Sequence, residues 1–156
     1  MQETFVEATL LARPGLRIPV SAQFSYYRGD PYAVHVTFHP GTERAVRWTF
    51  ARDLLVEGLF TPRGQGDVRV WPGRTDGVRK IMIKIKSLGE VAIVEAPAAP
   101  VADWLVETLR SVPAGTETDW LQMDEQLVRF GSQYPADSVW LRGVRPTDES
   151  GSPEAI

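Results

Sequence analysis

The residues with the greatest capacity for chemistry in this sequence are its two histidines, His35 and His39. On a helix, side chains four positions apart could bind one metal ion. The residues around them alternate between apolar and polar types, which predicts a strand. Four strand residues separate two side chains by roughly 13 Å, whereas two ligands of one zinc ion each lie about 2 Å from the metal. The pattern therefore predicts that His35 hydrogen-bonds across a sheet and that His39 belongs to a turn.

A pair of glycines, Gly64 and Gly66, could suggest a loop that holds phosphate groups. The residues that follow, Asp67–Trp71, alternate in type and predict a strand. Phosphate-binding loops of the dinucleotide and P-loop kinds lead instead into a helix whose N-terminus faces the phosphates. The pattern therefore argues against a nucleotide site.

The sequence offers little else from which an active site could be built. It contains no cysteine, which excludes disulfides, a thiol nucleophile and cysteine-ligated zinc or iron–sulfur centres. No serine stands in a Gly-x-Ser-x-Gly turn, and Asp53 and Glu57 are spaced as on a solvated helix face. We therefore predict that the protein is not an enzyme and has no catalytic residue, cofactor or metal.

Basic residues suggest a binding surface instead. In the segment from Val78 to Ser87, isoleucines alternate with lysines and one methionine, which predicts a strand with a buried face and an exposed face. Lysines on such a face also discourage edge-to-edge association of sheets. The predicted partner-binding residues are Arg69, Arg79, Lys80, Lys84 and Lys86.

The same surface has an alternative interpretation. Cations accompanied by aromatic rings, such as Trp71, Tyr26 or Tyr27, are typical of proteins that bind single-stranded nucleic acid. The chain as a whole carries a net charge of −3 and offers no global attraction for phosphates. A solvated sheet face is therefore the simpler explanation of the lysines, and nucleic-acid binding stays open as the alternative.

Size and composition indicate an ordinary globular protein. With 156 residues, 43% hydrophobic and 24% charged, the chain is long enough for one domain with a sizeable core. No apolar stretch approaches the ~20 residues that span a bilayer. The first residues lack the basic and apolar segments of a secretory signal. We expect a cytoplasmic protein without membrane insertion.

The strands and helices that the sequence pattern indicates around these residues predict an α+β fold. Alternating patterns predict about seven antiparallel strands, of which the first four form a meander. The period becomes helical over Ala51–Leu59, directly after the fourth strand. Two C-terminal helices are expected, one near Pro100–Val112 and one over Asp124–Gly131, with an extended piece at Glu117–Leu121 between them.

The chain is predicted to form a single domain over residues 1–131. Residues 132–156 are poor in apolar periodicity, and from Arg142 onward they are rich in Pro, Ser, Asp and Glu. This segment is predicted to be a C-terminal tail that is partly docked or flexible.

Three blocks of sequence carry a more specific signal. They are Asp30–His35, the Phe50–Leu55 block that ends at Gly58, and Gly66–Pro72. In these blocks the chain resembles the SsgA-like family of actinobacterial sporulation and cell-division regulators. The residues that match the family motif and are expected to build turns and core are Asp30, Pro31, Tyr32, Trp48, Arg52, Asp67 and Trp71.

The resemblance implies a fold and a function. The family fold resembles the Whirly type, with strongly curved antiparallel sheets that form a barrel-like or two-sheet core and with C-terminal helices. It implies a non-enzymatic adaptor that helps localise the septum machinery, with the tubulin-like FtsZ and other SsgA-like proteins as partners. It also implies a homo-oligomer, such as a trimer, at division septa. Septum-site marking and wall maturation stay open as family roles, and a Whirly-like single-strand binder is the alternative.

Overall fold

The computed structural model describes residues 1–87, 90–121 and 145–148. In this part of the chain, seven strands and one short helix precede the longer helix, and one short strand follows it. Residues 117–121 are also helical. The elements, in chain order, are β1 (Gln2–Arg13), β2 (Leu16–Tyr26), β3 (Ala33–Phe38), β4 (Val46–Ala51), α1 (Arg52–Gly58), β5 (Val68–Thr75), β6 (Val78–Ser87), β7 (Glu90–Pro97), α2 (Ala98–Ser111) and β8 (Arg145–Asp148).

The strands form one antiparallel sheet in the order β5-β6-β7-β1-β2-β3-β4-β8. The predicted meander of β1 to β4 is confirmed, and a second meander, β5 to β7, joins it because β7 pairs with β1. The predicted α+β class is also confirmed. Beyond the predicted strands, β8 comes from the segment expected to be a tail and pairs with β4, with Val46 opposite Asp148.

The sheet curls around its own inner face. Trp48 in β4 and Ile85 in β6 line the same cavity of about 210 Å³, although four strands separate β4 from β6 in the sheet order. The alternation of side chains places one set of apolar residues inside this curl, as the sequence pattern predicts. The sheet therefore encloses a single core. Its inner-face members include Val6, Val20, Phe24, Val36, Phe50, Val70, Ile81, Ile83 and Val94.

Two helices close the core. Helix α1 follows β4 directly, as predicted, and buries Leu55. Helix α2 buries Val101, Trp104 and Leu105, and the Trp104 ring lies 5.7 Å from the Phe24 ring of β2. None of the helices in the described residues is long and apolar enough to cross a membrane.

The expected extended piece at Glu117–Leu121 is wrong, because these residues are helical. The first backbone bond of this helix runs from Asp119 N–H to Thr116 O at 3.0 Å. Glu117 is buried beside Arg52, and this tertiary contact, which the alternation of residue types does not report, holds the segment in place. The predicted helix over Asp124–Gly131 lies outside the described residues.

The free edge of β5 is partly covered. Arg63 exchanges two backbone hydrogen bonds of 2.8 Å with Val70, and Pro72 has no N–H to offer. Gly64 has a φ of +107° and lies against the backbone of Val68, so a side chain there would meet the strand. This cover occupies part of the edge of β5, whereas the outer face of β5 and β6 carries exposed side chains such as Arg69 and Lys86.

Candidate functional site

Arg52, a residue of the family motif, lies at the centre of a buried cluster. Its side chain is only 1% exposed at the start of α1. Its Nη1 donates a hydrogen bond of 3.1 Å to the Thr108 carbonyl near the end of α2, and its Nη2 lies 3.8 Å from Glu117 Oε2. The guanidinium also lies 4.9 Å from the centre of the Tyr26 ring. Arg52 therefore ties the sheet to both α2 and the helix at residues 117–121.

The motif residues Pro31 and Tyr32 also belong to this cluster, which we call the clamp. Its members are Tyr26, Pro31, Tyr32, Arg52, Thr108 and Glu117. The Tyr26 hydroxyl donates a bond of 2.9 Å to Pro31 O, and Arg52 N–H donates one of 2.7 Å to Tyr32 O. The Tyr32 hydroxyl pairs with that of Thr118. Burial raises the pKa of Tyr26 to about 12, and the opposing charge of Arg52 does not offset it. The clamp therefore joins β2, α1, α2 and the helix at residues 117–121 through buried polar contacts.

The histidines lie where the sequence predicts. His35 in β3 is buried, and its Nδ1 lies 2.8 Å from the Thr49 hydroxyl across the β3–β4 pair. Its Nε2 lies 3.3 Å from Asp30 Oδ2, which accounts for this motif aspartate. His39 has a φ of +53° and belongs to a turn. In the described ranges, no three His, Cys, Asp or Glu side chains are grouped so that they could hold a metal.

Four of the five predicted partner-binding residues share one surface. On the outer face of the sheet, Arg69 of β5 lies directly opposite Lys84 of β6. Lys80 and Lys86 lie on the same face, because β6 side chains alternate and the isoleucines between them are buried. We call Arg69, Lys80, Lys84 and Lys86 the basic strip.

Arg79 does not belong to the basic strip. It points to the other face of the sheet, where its Nη2 lies 3.4 Å from Leu59 O. Its cross-strand neighbour Arg74 shares that face and donates a hydrogen bond of 3.0 Å to Gly77 O. The prediction grouped Arg79 with the lysines because all of them are basic. The alternation of side chains along β6 places Arg79 on one face of the sheet and the lysines on the other.

Apolar side chains run beside the cations. On the same face, Trp71 lies opposite Met82, Ile93 lies opposite Lys84, and Val91 lies opposite Lys86. The motif residue Trp71 is therefore part of this surface, at its half-buried centre. Asp67, at the start of the strand, contributes its carbonyl to a backbone bond of 2.8 Å from Lys86 N–H. The motif residue Trp48, by contrast, is buried in the core.

One acidic side chain lies on this face of β5, β6 and β7, and it is already paired. Glu95 of β7 is 4% exposed and accepts hydrogen bonds from Arg17 of β2 and from Thr75 of β5. Burial alone would raise the pKa of Glu95, but these bonds and the charges of Arg17 and Lys80 outweigh burial and lower it. Glu95 is therefore an ionised carboxylate that is satisfied by its own neighbours.

Three members of the basic strip lack such partners. Among the described residues, no carboxylate lies within 4.0 Å of the side-chain nitrogens of Arg69, Lys84 or Lys86. Further along the same face, the acids of β1 are hydrogen-bonded: Glu3 to Gln23 and Glu7 to Ser21. The acids of β1 and β7 on the outer face are thus satisfied, whereas Arg69, Lys84 and Lys86 have no ion-paired carboxylate among the described residues, even though Asp67 lies opposite Lys86.

Sequence reasoning missed the pairing of Glu95 with Arg17 and Thr75. The signal available was a carboxylate inside the apolar run of β7, since a buried acid requires a partner. The partner could not be found from the sequence, because Arg17 lies 78 positions away and reaches Glu95 across β1.

Comparison with known proteins agrees with this architecture. The family profile described as "Streptomyces sporulation and cell division protein, SsgA" matches residues 20–117. The chain is 48% identical over 110 residues to the sporulation-specific cell division protein SsgB of Streptomyces coelicolor, covering 70% of this chain and 80% of the relative. It is 38% identical over 118 residues to SsgB of Frankia casuarinae, covering 76% and 82%.

Solved structures show the same fold. An SsgA-like sporulation-specific cell division protein from Thermobifida fusca superposes with a TM-score of 0.76 and 34% identity, covering 82% of this chain and 93% of that one. A structure of SsgB, described in connection with longitudinal cell division during sporulation of Streptomyces coelicolor, gives 0.72 and 44%, covering 76% and 94%. The resemblance seen in the sequence blocks is confirmed, and the chain belongs to the SsgA family of sporulation and cell division proteins.

Proposed function

We propose that this protein is a non-enzymatic adaptor in sporulation-specific cell division that helps to localise the septum machinery. The observation that carries the proposal is the combination of its family with a basic strip on the outer face of the sheet, in which Arg69, Lys84 and Lys86 have no ion-pair partner among the described residues. Relatives at 48% and 38% identity are named sporulation-specific cell division proteins. The strip supplies a surface on which a partner could dock.

The buried polar groups support a binding role over a catalytic one. Arg52, His35 and Glu95 each face residues of the fold itself, so none is held ready for a substrate. By contrast, Arg69, Lys84 and Lys86 share one sheet face and have no ion-pair partner among the described residues. A surface of this kind promotes association with a partner of opposite charge.

The partners that we propose are FtsZ and other SsgA-like proteins. The protein would act as a homo-oligomer, such as a trimer, in the cytoplasm at division septa. Self-association would present several copies of the basic strip at once, and multivalency strengthens attachment to a polymer without new contacts.

Co-sedimentation with purified FtsZ polymers tests this function. The full chain should pellet with polymers in a manner that depends on FtsZ concentration and weakens with salt. A fluorescent fusion should mark septa in sporulating cells. Failure to pellet at low salt, together with a diffuse fusion, would contradict the proposal.

One observation favours a second function, the Whirly-like binding of single-stranded nucleic acid. Trp71 shares the outer face with Arg69 and Lys84, and a ring beside cations can stack on a base. Labelled single strands should then shift at low salt, and replacing Lys84 and Lys86 by glutamate should weaken the shift. Absence of a shift at low salt would dispose of this function.

A further inference from the structure

The basic strip is arranged at some cost to the fold. Arg69 and Lys84 lie directly opposite each other on neighbouring strands, where like charges destabilise the sheet. Lys86 lies two residues further along the same strand, about 7 Å away. Elsewhere on the outer face, Glu95 is balanced by Arg17. Among the described residues, no carboxylate is ion-paired with these three neighbouring cations, so they are available to the counter-charge of a partner.

The order of side chains along the strip could determine which ligand it binds. Along the outer face of β6 the side chains are Lys80, Met82, Lys84 and Lys86. Lys80 already interacts with the buried carboxylate of Glu95. The accessible pattern is therefore an apolar position, Met82, followed by two cations, with successive positions about 7 Å apart.

An extended peptide presents side chains on one face with the same spacing, since every second residue points the same way. We propose that the strip binds an extended acidic segment of a partner protein, in which an apolar residue opposite Met82 is followed at alternate positions by two carboxylates opposite Lys84 and Lys86. This proposal rests on the adaptor function proposed above and specifies the partner's chemistry.

The flanking strands favour a protein segment over a nucleic acid. Ile93 and Val91 of β7 lie beside Lys84 and Lys86, and Trp71 and Met82 lie at the near end. Three of these four side chains are aliphatic or thioether groups, which pack against apolar side chains, whereas a run of bases requires successive stacking rings. Trp71 is the one ring among them.

The test uses synthetic peptides as probes of the full-length protein. The first probe is a labelled peptide with leucine and two glutamates at alternate positions and serine between them. The second has the same composition with the two glutamates adjacent, so that they point to opposite faces. A labelled oligothymidylate of similar length and greater charge is the third. Fluorescence anisotropy measures the binding of each probe.

The chain offers a matched control variant. Lys84→Glu with Lys86→Glu reverses two charges on the outer face. Arg74→Glu with Arg79→Glu reverses two charges on the opposite face of the same β5–β6 hairpin. Circular dichroism verifies that both variants fold.

We expect the alternating probe to bind at low salt at least tenfold more tightly than the adjacent-glutamate probe. The Lys84/Lys86 variant should weaken binding at least tenfold, and the Arg74/Arg79 variant less than twofold. Equal binding of the two peptides, an equal loss in both variants, or tighter binding of the oligothymidylate would overturn the proposal.

FtsZ sedimentation with the same variants separates this proposal from the adaptor function. If FtsZ binds the wild type and the Lys84/Lys86 variant equally, the adaptor function stands and the strip is not its site, which overturns the proposal. If the wild type binds the alternating peptide but not FtsZ, the strip proposal stands and FtsZ is not the partner.

Discussion

Two regions of this molecule use cations in opposite ways. In the clamp, Arg52 is almost fully buried and is held by Thr108 O, the Glu117 carboxylate and the Tyr26 ring. In the basic strip, Arg69 and Lys84 face each other on the outer sheet surface with no acidic partner among the described residues. The difference teaches that the motif residue Arg52 builds the fold, while the lysines of the basic strip that lie outside the motif, Lys84 and Lys86, have no ion-pair partner among the described residues.

The largest effect is expected from breaking the clamp. Arg52→Met keeps much of the side-chain volume but leaves the buried Glu117 carboxylate without its cation, so the free energy of unfolding should fall by about 3–5 kcal/mol. Urea denaturation measures this loss. Arg63→Ala, which removes one member of the exposed pair with Glu57, should change stability by less than about 0.5 kcal/mol. Equal effects of the two variants would remove the distinction between buried and exposed cations.

The pKa of Tyr26 predicts an alkaline limit for the clamp. The pKa of the hydroxyl is close to the ordinary tyrosine value of 10.0 in the unfolded chain but about 12 in the folded protein. Because the folded pKa is raised, this contribution to stability is complete below pH 10 and is lost as the pH rises to 12. The loss should amount to about 2–3 kcal/mol, at about 1.4 kcal/mol for each pKa unit.

Denaturation at a series of pH values compares Tyr26→Phe with the wild type. At neutral pH the free energy of unfolding of Tyr26→Phe should be about 1 kcal/mol lower than that of the wild type, because the variant lacks the hydrogen bond to Pro31 O. The variant should also lack the alkaline decline in stability. The neighbouring, less buried Tyr27→Phe should keep the decline. A decline that persists unchanged in Tyr26→Phe would show that another group causes it.

The packing of α1 against β5 connects the two regions. A Cβ at Gly58 would lie 2.5 Å from Val70 Cβ, which is too close for any side chain. Gly58→Ala should therefore lower the free energy of unfolding by about 1–3 kcal/mol, because the added methyl group overpacks this contact. Gly15→Ala has open space around it and tests the backbone alone, since its φ is +81°. Thermal unfolding should show the larger drop for Gly58→Ala, and the reverse order would contradict this packing.

The smallest effect on stability is expected in the basic strip, and its sign is informative. Lys84→Glu places a carboxylate opposite Arg69, which converts a repulsive cross-strand pair into an attractive one. The free energy of unfolding should rise by about 0.2–1 kcal/mol. Urea denaturation at low and high salt measures it, and the gain should shrink as salt screens the charges. A loss of stability would mean that the strip is not under repulsion.

The sequence predicted most of the fold, because strand alternation and turn residues act locally. The two faces of β6, the helix after β4 and the roles of His35 and His39 all followed from spacing. The same alternation along β6 already separates Arg79 from the lysines with which it was grouped. Two features did not follow from spacing: the Glu95–Arg17 pair joins strands that are distant in sequence, and the helical residues 117–121 are held by contact of Glu117 with buried Arg52.

The candidate site was predictable in composition but not in arrangement. Counting lysines identified Lys80, Lys84 and Lys86. The cross-strand position of Arg69 and the flanking Ile93 required the register of three strands. Which cations lack partners could be decided only after the acids of the same face had been located.

Sedimentation of the Lys84→Glu variant with FtsZ polymers, at matched protein concentration and low salt, tests most directly that the strip binds a partner at the expense of the fold. We expect the variant to be at least as stable as the wild type and yet to pellet with FtsZ at least tenfold more weakly. Unchanged pelleting of a stably folded Lys84→Glu variant would contradict the assignment of the basic strip as the partner-binding surface.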